Sequence, residues 1–425
     1  MTRAAAAASA LLFVIAVAVA GAASGADNAA KPRMRAAGGQ SILAASMRAS
    51  AVVAGTISSR RPIDDKAWTA ALVVDESVTG PVAVGKTTTI TWEELSASRQ
   101  VRFDDGERVL VVLDPVPDQT LWTRRMSRPE NHADYIVAEH GDAFVRSPDP
   151  GSLDALLHYL MLAPQAQGGA PGAVRLVELA EAGNAVLAAE AITLLGQRKN
   201  LANDLGDPGT RILLHIAESP RNEAGVRTAA LRLAAARSLP GTKETALALS
   251  QPGSAMRVEA VRALTALPSG LTPAQKLELL DDPDAAVRVI AIEVAGSAAS
   301  RARIVEMMKK DSSPQVRLAA GVALVARDGS AALSDVMPLL DDPDAAVRMG
   351  MARRIGEVGS AAVEPLRNVV DRGSERAALA AVVGLTRAGH DGAAELVLLA
   401  HSHPNEKVKT FASLALGKAP DADKH

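Results

Sequence analysis

The stretch Asp281-Asp282-Pro283-Asp284-Ala285-Ala286-Val287-Arg288 returns unchanged as Asp341 to Arg348, sixty residues further on. Midway between the two copies stands a looser version, Asp311-Ser312-Ser313-Pro314-Gln315-Val316-Arg317. Weaker copies flank them. Asn222 to Arg227 and Met256-Arg257 lie upstream, and Glu375-Arg376 and Pro404 to Lys409 lie downstream. With the basic residue as marker, the series runs 227, 257, 288, 317, 348, 376 and 409, in steps of 28 to 33 residues. A period of this length, held over seven units, is the signature of stacked repeats.

Each unit reads as two helices. In the unit that opens at Leu271, Thr272 is a helix cap, Pro273 fits the first helical position and Gln275 completes a capping box. Leu277, Leu279 and Leu280 supply apolar surface. Asp282 is then the expected cap of a second helix with Pro283 at its first position. Val287, Ile290, Ala291 and Val294 share one face at helical spacing, and Gly296 marks the end. One such hairpin has no partner of its own for its apolar stripe, so neighbours must stack. The repeating region runs from Gly151 to Lys418, clearest from Asn222 onward, with residues 419–425 as a tail.

The D-x-x-P-x-V-R pattern with its Ala/Val/Leu-rich second helix resembles HEAT repeats, and the unit of about 30 residues looks most like the short bacterial, phycobilisome-lyase-type form. The resemblance implies an α-solenoid that offers a surface to a protein partner. It also implies that Asp282/Arg288, Asp311/Arg317 and Asp342/Arg348 cap helices and hydrogen-bond between adjacent repeats; the alternative is a charged binding ladder. Met256 and Glu375 stand where the pattern has Val, and Lys409 replaces Arg.

Composition agrees with small-residue helix packing. Of 425 residues, 48% are hydrophobic but only 2% aromatic, so the interior must be Ala, Val, Leu and Ile. Lys and Arg number 46 against 48 Asp and Glu, a formal charge of −2. That balance lacks the basic stripe of a nucleic-acid binder. The absence of Cys excludes disulfides, thiolate metal sites and thiol catalysis.

Before the repeats lie two other regions. Arg3, the apolar run from Ala4 to Ala20 and the small triplets Ala20-Gly21-Ala22 and Ser24-Gly25-Ala26 read as a secretory signal peptide over residues 1–26, or as an uncleaved anchor. A linker follows at 27–40. Export places the mature chain in the periplasm or the medium, with no stable membrane insertion after cleavage.

Residues 41–149 are β-rich. Six short β-branched runs are separated by turn residues: Ala51 to Ile57, Trp68 to Val74, Thr87 to Trp92, Val109 to Leu113, Tyr135 to Ala138 and Ala143 to Val145. They form a small barrel or sandwich. The glycines of Val53-x-Gly55-x-Ile57, Gly80-Pro81, Gly85, Phe103-x-x-Gly106 and Gly141-x-x-Phe144, set between those strands, resemble the netrin-like, oligonucleotide/oligosaccharide-fold-like barrels of exported bacterial proteins. The expected fold is therefore multidomain, a small all-β barrel-like domain followed by an α-solenoid of HEAT-like hairpins.

Several motifs invite chemistry. Gly80-Pro81-Val82-Ala83-Val84-Gly85-Lys86-Thr87 satisfies the phosphate-loop pattern, with Val109 to Asp114 imitating a magnesium-binding strand. A phosphate loop must open a helix, however, and Thr87 to Trp92 is β-forming, so a strand-to-strand turn with an exposed Lys86 is expected. His401 and His403, and His132 and His140, lack the converging ligands of a metal site. Trp68, Trp92 and Trp122 read as packing in the β region, with a sugar platform as the alternative. The sequence implies no catalytic residue, cofactor or metal site. The reading it supports is an exported, non-enzymatic interaction scaffold with a protein partner. The alternatives are a ligand-binding or inhibitor-like barrel presented by the repeats, and a nucleotide binder using Lys86.

Overall fold

A computed structural model describes residues 41–93, 103–118, 120–294 and 301–417. The signal segment, the linker, Gly296 and the tail lie outside the described residues. The chain from Ile42 onward forms one compact unit.

A short helix α1 (Ile42–Ser46) leads into the strands β1 (Ala51–Pro62), β2 (Ala67–Thr79), β3 (Thr87–Glu93) and β4 (Arg108–Pro115). A helix α2 (Thr120–Arg125) follows, then β5 (Tyr135–Val137) and β6 (Phe144–Arg146). The six expected runs are all strands. The sheet order is β1-β2-β3-β5-β4, and β4 pairs back on β1 from Ala51↔Leu113 to Thr56↔Arg108, so five strands close a barrel. β3 and β5 run parallel, and β6 adds to the outer part of β4. At Gly55 the barrel wall is tight: an added Cβ would stand 2.3 Å from the Val73 carbonyl oxygen of β2.

Alternation explains why Ala51 to Ala54 of β1 and Val109 to Leu113 of β4 are apolar without a break. Ala51, Val53, Ile57, Val109, Val111 and Leu113 point into the barrel with Trp92 and Phe103. Their neighbours Val52, Ala54, Leu110 and Val112 point outward, yet they too are buried, against Ile42, Leu43, Leu153 and Leu156. Both faces of these strands are thus covered, which removes the polar alternation of a half-solvated sheet.

The cover is helical. Helix α3 (Pro150–Leu160) starts at once after the barrel, its first turn held by Asp149, which accepts from the Ser152 N–H. Eight hairpins follow: α4 (Ala170–Glu181) with α5 (Ala185–Gly196), α6 (Leu201–Glu218) with α7 (Ala224–Ala236), α8 (Thr242–Leu249) with α9 (Arg257–Ala266), and α10 (Pro273–Glu278) with α11 (Ala285–Val294). Then come α12 (Arg301–Lys310) with α13 (Pro314–Asp328), α14 (Leu333–Val336) with α15 (Ala345–Gly356), α16 (Val363–Arg372) with α17 (Glu375–Leu385), and α18 (Gly389–Ser402) with α19 (Glu406–Ala415).

Two buried columns set the stacking register of the second helices. One holds Leu187, Val226, Met256, Val287, Val316, Val347, Ala377 and Val408. The other, one turn on, holds Ala191, Ala230, Ala260, Ala291, Ala320, Met351, Ala381 and Ala412, every one fully buried. Small side chains at this depth let backbones approach closely, which accounts for an interior poor in aromatics. At α15 and α17 the approach is closest: a Cβ on Gly356 would lie 2.1 Å from the Gly384 carbonyl oxygen.

This register corrects the sequence reading in two places. The carboxylate that caps α15 is Asp344, which accepts from the Ala346 and Val347 N–H groups, and Asp284 likewise accepts from Ala286. Asp282, expected as the cap, instead closes the turn before it by accepting from the Asp284 N–H. In the seventh hairpin Ser374 is the cap and Ala377 fills the Val position, so Glu375 and Arg376 lie two residues out of step with the pattern. The period is less regular before Asn222 because α6 is kinked at Gly206 (φ 58°), and the step from Leu187 to Val226 is 39 residues.

The apolar interior is not continuous. The barrel, α3 and the first three hairpins share one core that ends at Leu264. A second core runs from Leu280 to Ala412. Between them Val261, Val287 and Ile290 form a small bridging cluster.

Met351 is the one large residue in the alanine column, and Gly321 of the preceding hairpin makes room for it. A Cβ at Gly321 would sit 2.8 Å from the Met351 sulfur and 2.7 Å from Leu339. Gly321→Ala should therefore destabilise the chain by about 1–3 kcal/mol through overpacking. Adding Met351→Ala should recover part of that loss, a coupling that a double-mutant cycle by urea unfolding reads directly.

Candidate interaction surface

The sequence-marked charges form a zipper between hairpins. Arg257 holds Asp282 of the next hairpin through both carboxylate oxygens, at 2.9 and 2.5 Å. Arg288 holds Asp311 at 2.9 and 2.8 Å, and Arg317 holds Asp342 at 2.7 Å twice. The pairs six apart in sequence are not partners through their carboxylates. Within a hairpin, Arg288 donates to the carbonyls of Asp282 and Pro283, and Arg317 to those of Asp311 and Ser312. Each Arg thus ties its own interhelix loop and the following one, which is a stacking role.

These pairs are poorly exposed; the Asp342 side chain is 4% exposed and that of Arg317 13%. Burial alone would push the carboxyls of Asp282, Asp311 and Asp342 up. The bonds from Arg257, Arg288 and Arg317 and from backbone N–H groups outweigh it and hold all three below the usual carboxylate range. The zipper ends after Arg348, because position 372, where the pattern has Asp, is Arg. There the direction reverses: Asp341 of the sixth hairpin accepts from Ser374 and Arg376 of the seventh.

With the stacking residues assigned, the outward flank of the second helices is what remains to meet a partner, and it changes character along the array. Over the second to fourth hairpins it is charged and internally paired, Arg232 with Glu259 at 2.7 Å and Arg262 with Glu293 at 3.5 Å. From α13 on, the position of Arg232, Arg262 and Glu293 is taken by Val322, Arg353, Val383 and Leu414, and the neighbouring Leu318, Met349 and Leu379 are apolar and partly buried. At the far end Leu379, Phe411 and Leu414 line an open groove of about 350 Å³, edged by Glu406, Lys407 and Thr410. Leu414 is 56% exposed.

The other motifs fall into structural places. Gly80 to Lys86 is the β2–β3 connection, with Gly80 at φ +96° and Gly85 at φ +79°. The Gly85 N–H is spent on the Val74 carbonyl and Lys86 is exposed. Thr87 begins β3, so no helix N-terminus is there to hold a phosphate. Asp114 lies at the end of β4 and accepts from the Ser50 N–H. Trp92 and Trp122 are buried, Trp122 under the Arg125 guanidinium at 4.8 Å, and Trp68 stacks beneath Arg60 at 5.5 Å. These are packing positions. Arg125 itself is tied to Asp64 and Glu93, pinning α2 to the barrel.

His132 and His401 are exposed, and the side chain of His140 lies outside the described residues. His403 is buried and accepts the Asn405 N–H, the place that Asp282 takes in its own turn. Among the described residues no three His, Cys, Asp or Glu side chains converge as metal ligands, and no helix is long and apolar enough to cross a membrane.

Sequence reasoning missed the contact that seats the barrel on the array. Glu190 of α5 accepts from the Ile42 and Leu43 N–H groups at 3.0 Å each, capping α1 from 147 residues away. No local pattern marks that pairing.

Residues 273–348 and 301–383 match the family described as HEAT repeats. The array is HEAT-like. The matched stretch carries the Arg288–Asp311 and Arg317–Asp342 pairs of the zipper, and repeats of this family typically form helical scaffolds for protein interactions. No curated protein matches the chain.

Asp342→Ala should cost about 3 kcal/mol, because Arg317 would be left buried without its carboxylate. The acid limb has a defined sign. Folded carboxyls held below the unfolded value of about 3.9 contribute stability that is complete above that pH and lost as pH falls through the folded values. Thermal melts from pH 6 to pH 2 should show a steep acid decline in the parent and a shallower one in Asp342→Ala.

Proposed function

We propose that this chain is an exported, non-enzymatic scaffold that docks a protein partner on the outward flank of its second helices, over the last four hairpins. The observation that carries the reading is the set of part-exposed apolar residues Leu318, Val322, Met349, Leu379 and Val383, which ends at the exposed Leu414 and the Leu379–Phe411–Leu414 groove. Stacking does not require an apolar side chain at the position of Val322 and Leu414, since the second hairpin has Arg232 and the third Arg262 there. Export rests on the sequence of residues 1–26. The unit length of 29 to 31 residues from Val226 to Val408 supports the phycobilisome-lyase-type form of the repeat.

The barrel belongs to the same reading as an OB-like element. Its closed order β1-β2-β3-β5-β4 with a parallel β3–β5 pair supports that class. Its outer face serves the array, because Val52, Ala54, Leu110 and Val112 are spent on α1 and α3.

Two measurements test the proposal. Affinity capture from envelope extracts with the full mature chain should retain a partner that Leu379→Glu/Leu414→Glu loses, with an unchanged melting temperature. Equal recovery by both chains defeats the assigned surface. Fractionation should place the mature chain outside the cytoplasm with its N-terminus after Ala22 or Ala26; cytoplasmic retention defeats export.

A further inference from the structure

We propose that the guanidinium of Arg348 is a binding point for a carboxylate side chain of the protein partner. The inference rests on the scaffold reading and adds the chemistry that the partner must bring. Arg288, Arg317 and Arg348 occupy equivalent positions and are anchored alike. Nη1 of each donates to two carbonyls of its own interhelix loop, for Arg348 those of Asp342 at 2.7 Å and Pro343 at 3.0 Å. That anchoring aims the Nε and Nη2 edge at the next hairpin. In the first two cases the edge closes on a carboxylate, Asp311 or Asp342, through two parallel bonds of 2.7–2.9 Å.

For Arg348 the same edge has no such acceptor. Nε is shielded from solvent and makes no hydrogen bond. The residue equivalent to Asp311 and Asp342 is Arg372, which is exposed. The nearby Asp341 is engaged by Ser374 and Arg376. A desolvated guanidinium edge that lacks an acceptor is the group that gains most from an incoming anion. Its planar geometry matches a carboxylate bidentately, and both sister forks in this chain bind carboxylates. Arg372 brings an exposed positive charge to the loop position where the fourth to sixth hairpins carry Asp, which favours an acidic segment as the source.

The site also lies at the seam between α15 and α17, whose outward positions Met349 and Leu379 belong to the apolar flank. A partner segment with an acidic residue beside an apolar face would engage both.

The test uses the full mature chain, labelled so that arginine Nε–H resonances are resolved, with Arg348 assigned through Arg348→Lys. The probes are a capped tetraglutamate peptide, a capped tetraglutamine peptide and inorganic phosphate. The glutamate peptide should shift the Arg348 Nε–H saturably while Arg288 and Arg317 stay still, and the glutamine peptide should do nothing. Arg372→Asp supplies the missing carboxylate within the chain. It should raise the melting temperature and weaken peptide binding at least tenfold. The proposal is overturned if the Arg348 resonance does not move, if phosphate saturates it at the same concentration, or if Arg372→Asp binds the peptide as tightly as the parent. Partner capture that succeeds while Arg348 stays silent overturns this inference and leaves the scaffold reading intact.

Discussion

A hairpin of two helices some ten residues long cannot shield its own apolar stripe, and everything else in this chain follows from the way that deficit is met. The second helices stack through a column of alanines, which brings the backbones together. The same closeness leaves little room for polar groups, so the loops between helices must satisfy their carbonyls locally. Arg288 and Arg317 each do this twice over, binding two carbonyls of their own loop and the carboxylate of the next. The charges that look in sequence like a binding strip are consumed by the requirement to stack. The outward positions of the second helices are the ones left with freedom to vary.

How much of this could be read from the sequence depends on how local each constraint is. Thr272-Pro273-x-Gln275 specifies a capping box within four residues, and the structure has it. The Val and Ala columns repeat at fixed spacing and were legible as a face. The cap was misplaced by two residues because Asp282 and Asp284 are both plausible acceptors. Only the geometry of the turn decides that Asp282 closes the loop and faces the preceding arginine. Arg376 misled for a related reason: it is a basic residue at nearly the right interval but serves Asp341 in the opposite sense. Glu190 was invisible, since its partners are the amides of Ile42 and Leu43. The apolar flank was not singled out either, because exposed and buried leucines look alike until the stacking register is known.

The barrel and the array were legible as two kinds of secondary structure, and the change does fall near residue 150. It is not a change of core. β1 and β4 are apolar on both faces because one face belongs to the barrel and the other to α1 and α3, and Asp149 starts the helix with no intervening linker. The uniform hydrophobicity of Ala51 to Ala54 and of Val109 to Leu113 was the available signal. A strand with no polar alternation is one that something else covers.

The division of the interior at the fourth hairpin bears on cooperativity. In a linear array each element is supported by its neighbours alone, so a thin apolar bridge at Val261, Val287 and Ile290 is a natural fault line. The barrel and first hairpins share one core, and the zippered hairpins share another. Two ion pairs also span the boundary, Arg257–Asp282 and Arg262–Glu293, and their strength answers to acid in a way that buried alanine and valine do not. Burial pushes the Glu293 carboxyl up, whereas the bonds from Arg257 and a backbone N–H outweigh burial at Asp282 and hold its carboxyl down, so acid loosens this join in two stages, Glu293 first.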